Sequence, residues 1–243
     1  MPDAHHTKTR VGASEDDMAN ADYTLVIGTK SWSSWSLRPW LLMRQFGLPF
    51  QEIVIPLRTP QSAAAIQRYS PSGKIPALVA GNVTVWDSLS ITEYLADAHA
   101  ELAIWPREAH ARAIARSISA EMHGGFQALR QNCPMDINAT GLAPADPSAI
   151  SADVARIVAI WHDCRARFGG TGPFLFGAFS AADAMYAPVV SRFHSYGIDL
   201  KGASDTDGVA ARYGEAIWQL PALDEWRAAA RAEPATDTLG PSL

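Results

Sequence analysis

Serines crowd one short segment of this chain, Ser31-Trp32-Ser33-Ser34-Trp35-Ser36, just before Leu37-Arg38-Pro39-Trp40. Taken alone, such a run is a Ser-rich helix start, because Ser side chains accept hydrogen bonds from the free N–H groups of a first turn. A second group of residues has chemistry that is harder to dismiss. Lys74-Ile75-Pro76 opens an apolar run to Ala80, and Gly81-Asn82 separates it from a second run, Val83 to Trp86, followed at once by Asp87-Ser88. The two runs predict a β-hairpin whose first strand begins with a proline. An X-Pro bond can be held cis at a cost of only about 0.5–1 kcal/mol. A cis bond here would turn the Ile75 N–H and C=O toward an extended peptide that adds as a strand. Asp87-Ser88 precedes a helical pattern, Leu89, Ile91, Tyr94, Leu95. Its free N–H groups and positive dipole end suit a carboxylate, and Asp87 suits an ammonium. The combined chemistry is a socket for a small acidic peptide that carries a free amino acid end.

The elements that must hold these residues follow from the spacing of apolar residues. The expected order is strand 23–28, helix 36–46, strand 50–55, helix 62–69, then the hairpin and the helix after Ser88, which is a thioredoxin-like α/β half. A proline-punctuated link, Leu102-Ala103-Ile104-Trp105-Pro106, ends it. Beyond it no strand pattern recurs, and helices are expected at 107–132, 149–168, 180–196 and 208–231. The domain reading is a disordered extension over 1–21, an α/β domain over 22–101, a linker over 102–110 and an all-α domain over 111–235. Ser180-Ala181-Ala182-Asp183 has capping-box spacing, so Asp183 is expected to serve folding rather than chemistry.

In this order and spacing, KIPAL, WDSLSITEYL and the serine loop resemble the cytosolic glutathione transferases, and the resemblance covers roughly residues 22–230. Ser33-Ser34-Trp35-Ser36-Leu37-Arg38 is most similar to the SSCSWR pattern of the zeta class. The resemblance implies a thioredoxin-like domain followed by an all-helical domain, with glutathione as cosubstrate and a small electrophile as second substrate. It also implies a homodimer. Within it, Ser33 is the first candidate to donate its hydroxyl to the glutathione sulfur and Ser34 the second. Lys74, Ile75, Pro76, Asp87 and Ser88 would hold glutathione. Trp32, Trp35, Met122, Phe126 and Arg130 are candidates for the electrophile site, the last three recurring at i, i+4 and i+8 on one expected helix. Arg38 reads as a structural ion-pair partner. Moving a thiol from about 8.5 to about 6.5 takes roughly 2.7 kcal/mol. One hydrogen bond to a charge, about 1.5–3 kcal/mol, plus a helix N-terminus, about 0.3–1, covers that.

Two further functions stay open. One is glutathione-dependent cis-trans isomerisation of a maleylacetoacetate-type keto diacid, although Leu37-Arg38-Pro39-Trp40 stands where the zeta class has W-R-V-R, and Ala187-Pro188-Val189 lacks its glutamine. The other is a non-catalytic glutathione-fold binding protein. Composition narrows the field elsewhere. A formal net charge of −5 gives no footprint for nucleic acid. No apolar run approaches the ~18 residues of a membrane span, and the polar first twenty residues lack the apolar core of a secretory leader, so a cytoplasmic protein is expected. The two cysteines, Cys133 and Cys164, are expected as reduced helix-borne thiols. No His, Cys or acidic spacing matches a metal motif, so no metal is expected; His162, Asp163 and Cys164 are consecutive on a helix and cannot converge.

Overall fold

The computed structural model describes residues 23–234. The reading of residues 1–21 as a disordered extension lies outside them. The first half alternates β1 (Tyr23–Gly28), α1 (Ser34–Gln45), β2 (Gln51–Ile55), α2 (Ser62–Gln67), β3 (Ala77–Ala80), β4 (Val83–Trp86) and α3 (Ser88–Ala98). The sheet order is β2-β1-β3-β4, with β1 parallel to β2 and antiparallel to β3. Gly81 closes the β3–β4 hairpin at φ 59°, a backbone region that a side chain disfavours. This is the expected thioredoxin-like arrangement.

Register decides which loops meet. Val26 lies opposite Ala77, and Ala77 lies opposite Trp86. Because β3 runs against both neighbours, the end of β1, the start of β3 and the end of β4 share one end of the sheet. The serine loop, Ile75-Pro76 and Asp87-Ser88 therefore all emerge there. The Ile75–Pro76 bond is cis.

The second half is helical: α4 (Ala109–Gly124), α5 (Gln127–Asn132), α6 (Ser151–Phe168), α7 (Ala181–Ser195), α8 (Val209–Trp218) and α9 (Pro221–Ala232). Two expected helices prove to be pairs. The stretch 107–132 breaks after Gly124, where Phe126 takes φ 57° and a Cβ on Gly125 would meet the Glu121 carbonyl at 2.7 Å. The stretch 208–231 breaks at Gln219-Leu220, and Pro221 starts the next helix, a position where its missing N–H is harmless. The Ser180/Asp183 capping box is formed as expected: Asp183 Oδ2 accepts from Ser180 N at 2.8 Å and Ser180 Oγ at 2.9 Å, and Oδ1 accepts from Leu175 N at 3.1 Å.

One core runs through both halves, from Leu25, Leu37, Trp40 and Leu41 to Trp161, Tyr186 and Trp226. Helix α1 is its hub, packed against α3 and β1 on one side and α7 and α9 on the other. A smaller cluster of Val26, Ile55, Ile66 and Ala77 fills the space under α2. No described helix is long and apolar enough to cross a membrane.

Candidate functional site

The serine loop is anchored before it can do chemistry. Glu233, just past α9, accepts from Lys30 N at 2.6 Å and from Ser31 N and Oγ at 3.0 and 2.9 Å. Trp226 Nε1 donates to Lys30 O at 3.0 Å, and Ile137 N donates to Ser31 O at 2.9 Å. The buried Lys30 ammonium pairs with Glu52 at 2.7 Å and lies over the rings of Trp40 and Trp226. The helical half thus grips both sides of residues 30 and 31. The Glu233 and Trp226 anchors do not stand out in the sequence, because they lie 196 to 203 positions from the residues they hold.

Beyond the grip the two candidate serines diverge. Ser33 N-caps α1 without a side-chain cap bond and gives its hydroxyl to Ser36 Oγ at 2.8 Å. Ser36 Oγ also accepts from Gly28 N at 3.0 Å, so it ties the helix back to β1. The Ser34 oxygen faces Arg192 Nη2 of α7 at 3.5 Å. Both serines are buried, at 7% and 6% exposure.

Three buried guanidiniums, Arg38, Arg130 and Arg192, surround this point. Burial, then the charges of Arg130 and Arg192, hold the pKa of Arg38 well below the usual arginine range; burial and Arg130 bring Arg192 down to about 10. Trp35 lies between two of them, with Arg38 at 4.2 Å and Arg130 at 4.7 Å from its ring centroid. The expected ion pair of Arg38 is not formed among the described residues. Its Nη1 reaches Ser88 Oγ at 3.4 Å, while its Nε and Nη2 are buried without a partner. The acid whose charge acts on it is Asp87.

Asp87 sits at φ 75° and caps α3, its Oδ1 accepting from Leu89 N at 2.8 Å and Ser90 N at 3.4 Å. Its Oδ2 meets His123 Nε2 of α4 at 2.7 Å, and the His123 ring stands edge-on to Trp35 at 5.1 Å. His123 is thus a site residue that sequence reasoning missed. Ser88 is fully buried, its hydroxyl turned inward to Arg38.

The other candidates separate. Lys74 is exposed, Ile75 half-buried and Pro76 buried at the same end of the sheet. Trp32 is half-buried, with Arg58 stacked at 4.2 Å. Met122 and Phe126, at 1% and 7% exposure, belong to the core. The expected stripe of Met122, Phe126 and Arg130 does not exist, because the helix breaks between the first and second of them. Arg130 instead caps the broken end: Nε donates to Gly125 O at 2.9 Å, and Nη2 donates to the carbonyls of Met122 and His123. Away from the serine loop, His162 meets Asp205 at 2.7 Å and Asp207 at 3.6 Å, a convergence that its immediate sequence neighbours do not reveal. Two clefts of the helical half, about 320 and 460 Å³, contain none of the serine-loop residues.

Two family models match this chain, the glutathione S-transferase N-terminal domain over residues 32–98 and the glutathione S-transferase C-terminal domain over residues 147–230. The chain belongs to the glutathione S-transferase family. Among curated proteins, a probable maleylacetoacetate isomerase of Caenorhabditis elegans is 27% identical over 112 residues, 46% of this chain and 51% of that protein. Glutathione S-transferase Z2 of Arabidopsis thaliana is 26% identical over 198 residues, 79% of this chain and 85% of that protein. The chain thus spans about half the length of the nematode relative. Of solved structures, a Burkholderia glutathione transferase homologue with bound glutathione superposes at a TM-score of 0.63 with 20% identity, over 87% of this chain and 99% of that one. Glutathione transferase Omega 3C of Trametes versicolor gives 0.64 with 18% identity, over 87% and 91%. At such identities the structural likeness is one of fold. The α/β half holds the match to the family's N-terminal domain and the helical half the match to its C-terminal domain.

Proposed function

We propose that the protein binds glutathione at the end of the sheet where the serine loop, Ile75-Pro76 and Asp87 meet, and activates it as a thiolate for attack on a small electrophile. The observation that carries this reading is the register, which brings three segments distant in sequence to one edge. There the Ile75 backbone offers strand-like pairing to the cysteinyl part of the peptide, Asp87 offers a carboxylate to the γ-glutamyl ammonium, and exposed Lys74 suits the glycine carboxylate. A second copy of the chain completes the reading as an isologous dimer, which sedimentation mass would reveal.

Calorimetry with glutathione tests the site. Asp87→Asn keeps an acceptor for the helix cap but loses the charge, so it should weaken binding by about 1.5–3 kcal/mol. Equal affinity of variant and wild type would remove Asp87 from the site. A wild type that does not bind glutathione would sink the transferase reading and favour a non-catalytic family member.

One observation favours a second reading. Three buried cations outnumber the two half-buried acids that act on them, Asp87 on Arg38 and Asp153 on Arg130, and so suit an anionic electrophile, because buried charge without a counter-charge is costly. Isomerisation of a maleyl-type keto diacid meets that condition. Turnover of such a diacid well above that of its neutral diester would select it over conjugation of a neutral electrophile.

A further inference from the structure

We propose that the hydroxyl that holds the glutathione sulfur is that of Ser34, and that Arg192, reaching across from the helical half, is the positioning residue that makes it a strong donor. This rests on the glutathione reading above and refines it.

The argument begins with where each proton goes. Ser33 donates to Ser36, whose oxygen also takes the Gly28 N–H, so the Ser33 proton is committed to holding α1 against β1. Ser34 differs in two respects. No acceptor for its proton is found among the described residues, and its oxygen faces a guanidinium. Arg192 is itself fixed: Nε donates to Cys133 O at 2.9 Å and Nη1 to Pro188 O at 3.0 Å, which leaves Nη2 aimed at Ser34. At 3.5 Å that contact is long for a hydrogen bond, so the charge matters more than the bond. A hydroxyl whose oxygen faces a buried cation has a more positive proton and donates more strongly, and low local dielectric enlarges the effect.

Arg192 stays protonated at neutral pH even though burial and Arg130 draw it down to about 10. The charged or titratable groups in its field are Arg38 on α1, Arg130 on α5, Cys133 at the end of α5 and Tyr196 just past α7. In the step itself the glutathione S–H bond breaks heterolytically. The proton leaves to bulk water, the sulfur keeps the electron pair, and the Ser34 O–H donates to it. Arg192 neither gives nor takes a proton.

The test is the pKa of glutathione bound to the full chain, read from ultraviolet thiolate absorbance, with glutathione affinity measured separately. Ser34→Ala and Arg192→Met should each raise that pKa by roughly one to two, the loss of one hydrogen bond to a charge. Turnover at neutral pH should fall while glutathione affinity changes little. The double variant should be no worse than the poorer single one, since both remove the same interaction. Arg192→Lys keeps the charge and should restore most of the wild-type pKa, an outcome that a purely structural arginine would not give. Ser33→Ala should shift the pKa less than Ser34→Ala. Arg192→Met also removes the bonds to Cys133 O and Pro188 O, so Ser34→Ala and Arg192→Lys decide by themselves. A wild-type pKa in Ser34→Ala together with a raised one in Ser33→Ala would overturn the proposal. Arg192→Lys as impaired as Arg192→Met would overturn the part played by its charge. Absence of glutathione binding by the wild type would instead overturn the reading on which the proposal rests.

Discussion

Asp87 serves two masters, and its position explains both. The same carboxylate caps α3 through Oδ1 and meets His123 through Oδ2, so it joins the α/β half to the helical half at the edge of the proposed site. Burial pushes its pKa up, but the bonds from His123 and Leu89 more than offset this, and the net shift is downward. A carboxylate held below its unfolded value of about 3.9 stabilises the fold above that pH, and the gain is lost as pH falls through the folded value. The stability of the wild type should therefore drop toward that of Asp87→Asn as acid is added, and the two should differ most near neutrality. Denaturant titrations at a series of pH values would show it; a constant difference between wild type and variant would mean that the His123 contact carries no charge linkage. Asp87 was readable in the sequence as the acid of an acid-serine pair before a helix. His123 was not, because it lies on another helix, 36 residues away, with no spacing that links it to Asp87. Arg192 is harder still, at 158 residues from Ser34.

At the scale of elements, the strands and the hairpin were legible because their apolar runs are short and bounded by turn residues. The helix breaks were less so. Gly124-Gly125 looks tolerable inside a helical pattern, yet the chain turns there, and Gly125 is required because a Cβ would meet Glu121 O at 2.7 Å. That break moves Arg130 from a helix stripe to a cap and brings its guanidinium over Trp35. The grip on the serine loop is likewise an element-level device: the end of α9 supplies Glu233, Ala230 and Trp226 to residues 30 and 31. Glu233→Ala would leave the Lys30 and Ser31 N–H groups to find other partners and should cost about 1.5–3 kcal/mol, less where water reaches them. Glu233→Gln keeps one oxygen and should cost less. Chemical denaturation gives the stability change, and kcat measured beside glutathione affinity gives the effect on the loop. A variant as stable and as active as the wild type would show that Trp226 and Ile137 hold the loop unaided.

Across the whole molecule the two halves are not independent bodies joined at a cleft. Helix α1 belongs to the α/β half in sequence, yet Leu37, Trp40, Leu41, Leu42 and Met43 are all at 1% exposure or less, sealed partly by α7 and α9. The link 102–106 joins the same seam, with Ala181 N donating to Ile104 O at 2.8 Å. Removing the helical half would expose that face of α1, a loss of order 25 cal/mol for each Å² returned to water. The halves should therefore unfold together, and the two thiols report on it. Cys133 and Cys164 are free and buried, at 0% and 1% exposure, and burial pushes their pKa values up to about 11 and about 12. Neither offers thiolate at neutral pH, so labelling by a thiol reagent requires opening of the helical half. In a denaturant series, the labelling midpoint, the loss of helical circular dichroism and the change in tryptophan emission should coincide. Emission includes Trp32, Trp35 and Trp40 from the α/β half, whereas the thiols sit only in the helical half, so the comparison reads both sides of the seam. Thiols that label at clearly lower denaturant than the tryptophan transition would show that the helical half opens first, and that the shared core around α1 is not one cooperative unit.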